Sequence, residues 1–303
     1  MSWKEVLGFV FFVVVVALLF LYWFFPLDEI EFKASGLKNT NFTINSSSGS
    51  VQFYENMRYP NKDISYRIED CTLQKTDEMQ RAFETIENLT VLNFYPVNNK
   101  EEIFVTCDSK TRIEGDLFVA GEGGPTKITK SKNFNVIYEG AITLVRDSKC
   151  ENPNIGIHEL LHTLGFDHSD NPDNIMYFVS SCDQEIGQDI IEWISYLYSF
   201  PSYTDLAFEN ASALMHGRYL DITLTINNDG LEDSENSKLI IYADNKSIKE
   251  FEIESIPISG GRIITLKNIL VLQTRIDKLE LFIDYNLPEL DKDNNGLILK
   301  IKQ

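Results

Sequence analysis

Three of the chain's four histidines fall in one eleven-residue run, His158-Glu159-Leu160-Leu161-His162-Thr163-Leu164-Gly165-Phe166-Asp167-His168. This run leaves the backbone little choice. On a helix, positions i and i+4 share a face, so His158 and His162 can hold one metal ion through their imidazoles. Gly165 suits a helix end, because glycine takes the left-handed conformation at little cost. The chain can then turn and bring His168 back to the same ion. Three protein ligands leave a fourth position open, which is the pattern of a catalytic zinc ion. Glu159 neighbours the first ligand but projects at another angle, and it suits a general base acting on water that zinc has made acidic. A lone histidine is more often an ordinary core or surface residue; here the spacing of the set argues otherwise. The fourth, His216, is assigned no role.

A second constraint lies at the N-terminus. From Val6 to Phe25 the chain is uncharged and apolar. Twenty residues of helix span about 30 Å, the thickness of a bilayer's hydrocarbon core. Tyr22 and Trp23 suit the interface, and Lys4 before the run favours an N-inside, C-outside orientation. A cleaved signal peptide is the rival, but its apolar run would be shorter and followed by small residues, whereas this one ends in Tyr-Trp-Phe-Phe-Pro. The expectation is an uncleaved single-pass anchor over 1–26 with the rest of the chain extracytoplasmic. Five Asn-x-Ser/Thr sequons, at Asn41, Asn45, Asn88, Asn210 and Asn245, are compatible with that location. The formal charge of −19 argues against nucleic acid as a partner.

The remainder divides by pattern. Residues 27–50 end in a polar, Ser- and Asn-rich stretch and read as a linker. Over 51–202, strand and helix signals mix. Ile64–Ile68 alternates like a half-buried strand, and Ile103–Val105, Leu117–Val119 and Ala141–Val145 are further short strands. Thr76 is expected to cap a helix carrying Met79, Phe83 and Ile86. A second helix is expected over Pro153 to Leu164, and a third through Ile186, Ile190, Ile194 and Leu197, ended by Pro201. Gly121-Glu122-Gly123-Gly124-Pro125 reads as a loop. From 203 to 303 the period changes to two: strands are expected at Leu220–Ile226 and near 238–243, 247–254, 262–268, 278–284 and 297–302, an all-β sandwich.

The zinc run carries the metzincin signature. Met176, in Asn174-Ile175-Met176-Tyr177, resembles the Met-turn that underlies the zinc in metzincins, at a distance similar to that in matrixins; Ser169 and Pro172 also resemble matrixins. The resemblance covers roughly 57–200. It implies an α+β fold, with a metzincin catalytic domain of mixed twisted sheet and three helices. It implies His158, His162 and His168 as zinc ligands, Glu159 as general base, and a protein or peptide substrate. A substrate-binding edge strand is expected between Leu117 and Thr129, where peptides would add by main-chain hydrogen bonds. There are departures. No histidine precedes His158, so the structural zinc site of matrixins cannot exist in that form. No cysteine precedes Cys71, which argues against a propeptide cysteine latch. Phe178 follows Tyr177 where matrixins often have proline. Asp108 and Asp116 are candidate calcium ligands or plain surface charge.

The four cysteines allow three pairings, of which Cys71–Cys107 and Cys150–Cys182 are expected from their positions. The C-terminal domain resembles CARDB modules, Ig-like sandwiches, through Leu220–Asn227 with Asn228-Asp229-Gly230 and through Pro288–Gly296; this implies an accessory surface module with a possible cell-surface partner. Asp291, Asp293, Asn295 and Gly296 match the opening of an EF-hand loop, but its twelfth position is Lys302, so calcium and a plain polar turn both stand. The functional expectation is a membrane-anchored zinc metalloendopeptidase. The alternatives are a zinc hydrolase of a non-protein amide of the cell envelope, and an adhesion protein with an inactive protease domain.

Overall fold

The computed structural model describes residues 2–24, 29–35, 52–110, 113–114, 117–273 and 276–301. The sequons at Asn41 and Asn45, and the residues Asp116 and Lys302, lie outside them. The chain forms two compact units, one of Thr43–Tyr203 and one that joins Met1–Phe42 to Thr204–Gln303.

Helix α1 (Trp3–Phe24) is long and apolar enough to cross a membrane, with a mean hydropathy of 2.5 over Trp3–Leu21. It is followed by strand β1 (Glu29–Ala34). The linker reading of 27–50 therefore does not hold for these six residues. Ile30, Phe32 and Ala34 alternate with Glu29, Glu31 and Lys33, and Phe32 is fully buried. That alternation gives the segment an apolar face that must be covered.

The unit of 43–203 contains β2 (Met57–Arg58), β3 (Asp63–Ile68), α2 (Leu73–Leu89), β4 (Asn93–Pro96), β5 (Ile103–Cys107), the small hairpin β6 (Ile113–Glu114) and β7 (Leu117–Phe118), β8 (Gly121–Lys130), β9 (Asn135–Leu144), α3 (Asn154–Thr163) and α4 (Gln188–Leu197). Its sheet runs β2-β9-β5-β3-β4 with parallel pairings, and β8 adds antiparallel to β9. Met79, Ala82, Phe83 and Ile86 of α2 lie at helical spacing and are buried in one core with Ile64, Ile103 and Ile142 of the sheet. Helix α2 starts earlier than expected: Thr72 is its cap, accepting from the Lys75 N–H at 3.4 Å, and Thr76 lies inside. The disulfide from Cys71 to Cys107 ties that helix start to the end of β5. The second disulfide joins Cys150 to Cys182, across the segment that holds the histidines. These are the pairs expected from the sequence. Closing loops of 36 and 32 residues, each is worth about 4 kcal/mol in the chain-entropy picture.

Arg58 organises the end of this unit. It is 2% exposed, and its guanidinium donates to the carbonyls of Leu197 (2.6 Å), Phe200 (2.9 Å) and Pro60 (2.9 Å) while lying 4.3 Å from the Tyr198 ring. It thereby satisfies carbonyls at the C-terminal end of α4 that have no partner within the helix.

The other unit holds β10 (Leu206–His216), β11 (Tyr219–Asn228), β12 (Ser237–Ala243), β13 (Lys246–Ile253), β14 (Gly261–Leu270), β15 (Lys278–Asp284) and β16 (Gly296–Ile301). With β1 they make one antiparallel ladder, in the order β13-β12-β15-β16-β1-β10-β11-β14. Both halves of the ladder contribute to a single core, so the sheet folds over on itself: Leu239, Ile241, Leu281 and Leu299 from one half meet Phe32, Ala213, Leu220 and Ile222 from the other. Strand β1 stitches the halves, pairing with β10 from Glu29 opposite His216 to Lys33 opposite Ser212, and with β16 from Phe32 opposite Ile301 to Ala34 opposite Leu299. Strand β10 has no counterpart in the sequence reading, because a bulge between Phe208 and Asn210 breaks its alternation. The segment from Asp291 is not an EF-hand: Asp293–Asn295 form one 3-10 turn that leads directly into β16.

Candidate active site

Helix α3 is buried along its whole length. It ends at Leu164, and Gly165 follows with φ +97°, where a side chain would also strike Met57. This break turns the chain back so that His168 reaches the other two imidazoles. His162 Nε2 lies 3.0 Å from His158 Nε2 and 3.2 Å from His168 Nε2. His158 Nδ1 donates to the carbonyl of Ile175 and His162 Nδ1 to that of Phe166, each at 2.7 Å. Those bonds place the ring protons on Nδ1 and leave the Nε2 lone pairs facing one another. Burial opposes protonation of both rings, pushing His162 down to about 4 and His158 below its ordinary value. Lone pairs this close repel unless a cation lies among them. Tetrahedral ligands at ~2.0–2.1 Å from a zinc ion lie about 3.3 Å apart, so the residues fit the ion. Among the described residues, this triad is the cluster of His, Cys, Asp and Glu side chains that could hold a metal.

Glu159 is 5% exposed and lines the same cleft, a cavity of about 790 Å³. Burial pushes its carboxyl up to about 8; the negative charge of Glu122 adds to this, and a hydrogen bond from the Gly123 N–H opposes it. Glu122 and Gly123 belong to β8, the antiparallel edge strand. The expected edge region of Leu117 to Thr129 thus covers all but the last residue of the strand, and the glycine run read as a loop is the strand's first half. A Cβ on Gly121 would come within 2.7 Å of the Glu159 side chain, and one on Gly123 within 2.3 Å of the Glu159 carbonyl oxygen. Glycine is required here because the strand backbone rests directly against α3.

Met176 is 1% exposed, in the unit's core. Its turn is held by bonds that sequence reasoning missed. Asn174 Oδ1 accepts from the Met176 N–H at 2.8 Å, and the Met176 carbonyl accepts from the Ser169 N–H at 2.8 Å. Gln184 donates to the carbonyls of Pro172 and Val179 and accepts from the Ser181 N–H. Phe53 was also missed: its ring stacks on His162, with centroids 5.6 Å apart, while its N–H donates to the Gly165 carbonyl. The one available signal was position, since Asn174 opens the Met-turn segment. Phe53 lies over a hundred residues from its partner, and nothing local marks it. Phe178 and Val179 form an exposed apolar wall of the cleft. Asp108 is engaged locally, its carboxylate accepting from the Lys110 N–H at 2.9 Å. His216 lies on β10, 3.2 Å from Glu29 of β1.

Comparison with known proteins bears on the same segment. Residues 58–199, just under half the chain, match the matrixin family of peptidases. No curated protein matches the chain. Among solved structures it is similar to a CARDB domain from Pyrococcus furiosus determined in complex with di-metal ions, at 14% identity and a TM-score of 0.28, over 33% of this chain and 88% of that one. It is also similar to myroilysin, at 16% identity and a TM-score of 0.23, over 37% of this chain and about half (52%) of that one. The match over residues 58–199 makes this segment similar to matrixins, a family of metallopeptidases.

Proposed function

We propose that this chain is a zinc metalloendopeptidase, tethered to a membrane by α1 with its catalytic unit on the extracytoplasmic side. The observation that carries the reading is the convergence of three imidazole Nε2 atoms beside a buried glutamate in an open cleft. His158, His162 and His168 would hold the ion. A zinc ion held there supplies Lewis acidity toward a carbonyl oxygen, a more acidic water, and positive charge that draws Glu159 back toward its ionised form.

The chain's own residues do the rest. Glu159 takes a proton from the attacking water on its carboxylate and delivers it to the leaving amide nitrogen. The Gly123 N–H orients that carboxylate. The outer edge of β8 offers main-chain donors and acceptors to an extended substrate, and Phe178 and Val179 present apolar surface to its side chains. Met176 supports the histidines from below as packing. A mixed α+β matrixin domain and an Ig-like β-sandwich are the fold types that best suit the two units, the second serving as an accessory surface module.

The test is zinc content and casein hydrolysis, with and without a chelator, for the wild type and Glu159→Ala. One zinc per chain with chelator-sensitive cleavage, reduced about 10²–10⁴-fold in the variant with zinc retained, is expected. Zinc without cleavage of any protein would move the reading to a non-peptide amide hydrolase. Absence of zinc would refute it.

A further inference from the structure

The unit that contains β10 to β16 carries a second polar centre, unrelated to the histidines. Asp205, which precedes β10, is 1% exposed. Its Oδ1 accepts from Asn294 Nδ2 at 2.7 Å, and its carbonyl accepts from the Asp229 N–H at 2.7 Å. The turn before β16 lies against it. Glu289 Oε1 accepts from the Leu206 N–H at 2.9 Å, and Glu289 Oε2 accepts from Asn295 Nδ2 at 2.5 Å. Asp291 Oδ1 accepts from the Asp293 N–H at 2.8 Å.

Among the described residues, four buried oxygens here remain without a donor: Asp205 Oδ2, Asp291 Oδ2, Asn294 Oδ1 and Asn295 Oδ1. Asn294 and Asn295 are 7% and 3% exposed. Exchanging the oxygen and nitrogen of either amide is no remedy, because each nitrogen already donates to a carboxylate and the exchange would set oxygen against oxygen. A buried acceptor left unpaired destabilises the fold, and a charged one does so more. The surroundings worsen the cost. Asp229, Asp291 and Glu289 all act on Asp205 with like charge. Lys292 acts on Glu289, but its ammonium is directed to the Tyr285 carbonyl at 3.5 Å.

We propose that Asp205, Asp291, Asn294 and Asn295 form a binding site for a hard divalent cation, calcium by class. Every free donor is an oxygen, two of them carboxylate and two amide, which is the ligand chemistry calcium takes. No group of three or more carboxylates gathers here among the described residues; the two amide oxygens complete the set because they too are buried and without a donor. An ion here would clamp the start of β10 to the turn that feeds β16. It differs from an EF-hand in drawing Asp205 from far upstream and in lacking that motif's twelfth-position acid.

The experiment uses the full zinc-loaded chain in detergent micelles, in resin-stripped buffer. Calcium is titrated to about 10 mM, above the ~10⁻⁴–10⁻³ M range of extracellular sites. Hydrogen exchange is followed by mass spectrometry in peptides covering 204–206 and 289–301, so that ions bound in the other unit do not enter the readout. Calcium-dependent protection of both peptides is expected, absent in Asp205→Asn and Asp291→Asn. Asp205→Asn alters a fully buried residue and can perturb folding; Asp291 is only partly buried, so its variant keeps the test valid. Exchange indifferent to calcium in the wild type would overturn the proposal. So would a calcium response undiminished in Asp291→Asn, or protection that follows acidification alone.

Discussion

Replacing Phe32 by alanine should loosen a unit whose other strands begin more than 170 residues later in the chain. Phe32 is fully buried, opposite Ala213 of β10 and Ile301 of β16, in the core shared by both halves of the folded sheet. Truncating a core phenylalanine costs about 3–5 kcal/mol through lost burial and the cavity left behind. At ~1.4 kcal/mol per factor of ten, a loss of about 4 kcal/mol raises the open population roughly 10³-fold. Slowly exchanging amides of β10 and β16 should then exchange about 10³-fold faster. Trp193, the tryptophan of the Thr43–Tyr203 unit, should report an unchanged denaturation midpoint for that unit. Phe32→Leu, which keeps most of the volume, should cost about 1 kcal/mol. Unchanged exchange across 206–216 and 296–301 in Phe32→Ala would refute the placement of β1. The same reasoning governs release: a chain cut once between residues 36 and 51 should keep its N-terminal piece bound through the β1 ladders until denaturant is added. Self-cleavage there would not by itself free the enzyme.

Other perturbations follow from single contacts. Gly123→Ala puts a methyl group within 2.3 Å of the Glu159 carbonyl; it should push β8 off α3, cost about 1–3 kcal/mol in the catalytic unit and depress casein hydrolysis with zinc content unchanged. Arg58→Met strands the carbonyls of Leu197 and Phe200, leaving that of Pro60 to the Ser202 hydroxyl, and should lower stability by about 2–4 kcal/mol in a denaturant titration followed by Trp193. Glu78 is held above the usual carboxylate range by burial, with one oxygen unpartnered. Its folded form binds the proton more tightly than its unfolded form, so its contribution falls as pH rises from the unfolded value to the folded one. Glu78→Gln should flatten that part of the stability profile and raise stability at neutral pH; a less stable variant at neutral pH would contradict the assignment.

Much of the candidate site was readable because its logic is local. The i, i+4 histidines, the glycine that ends α3 and the returning His168 depend on helix geometry and on one left-handed residue, and both are properties of adjacent amino acids. The glycines of β8 were harder. Gly121 and Gly123 look like loop residues because they lack side chains, and that lack is what lets the strand lie against Glu159. Thr72, not Thr76, caps α2 because its hydroxyl accepts from the Lys75 N–H, one turn ahead of the expected start. Gln184 and Phe53 serve the site through contacts that no spacing announces.

By itself, then, the sequence determined the zinc-type triad with its glutamate, the apolar N-terminal helix and the period-two strands after residue 218. Each follows from the periodicity of a local backbone and the chemistry of neighbouring side chains. Only the tertiary structure decided where the Glu29–Ala34 strand belongs. Its alternation demands a covered face, but many edges could cover it, and the choice of β10 and β16 is made by long-range burial of Phe32. The same holds for the oxygens around Asp205. Their significance appears only once the turn at 289–296 has folded against a residue far upstream and left them without donors.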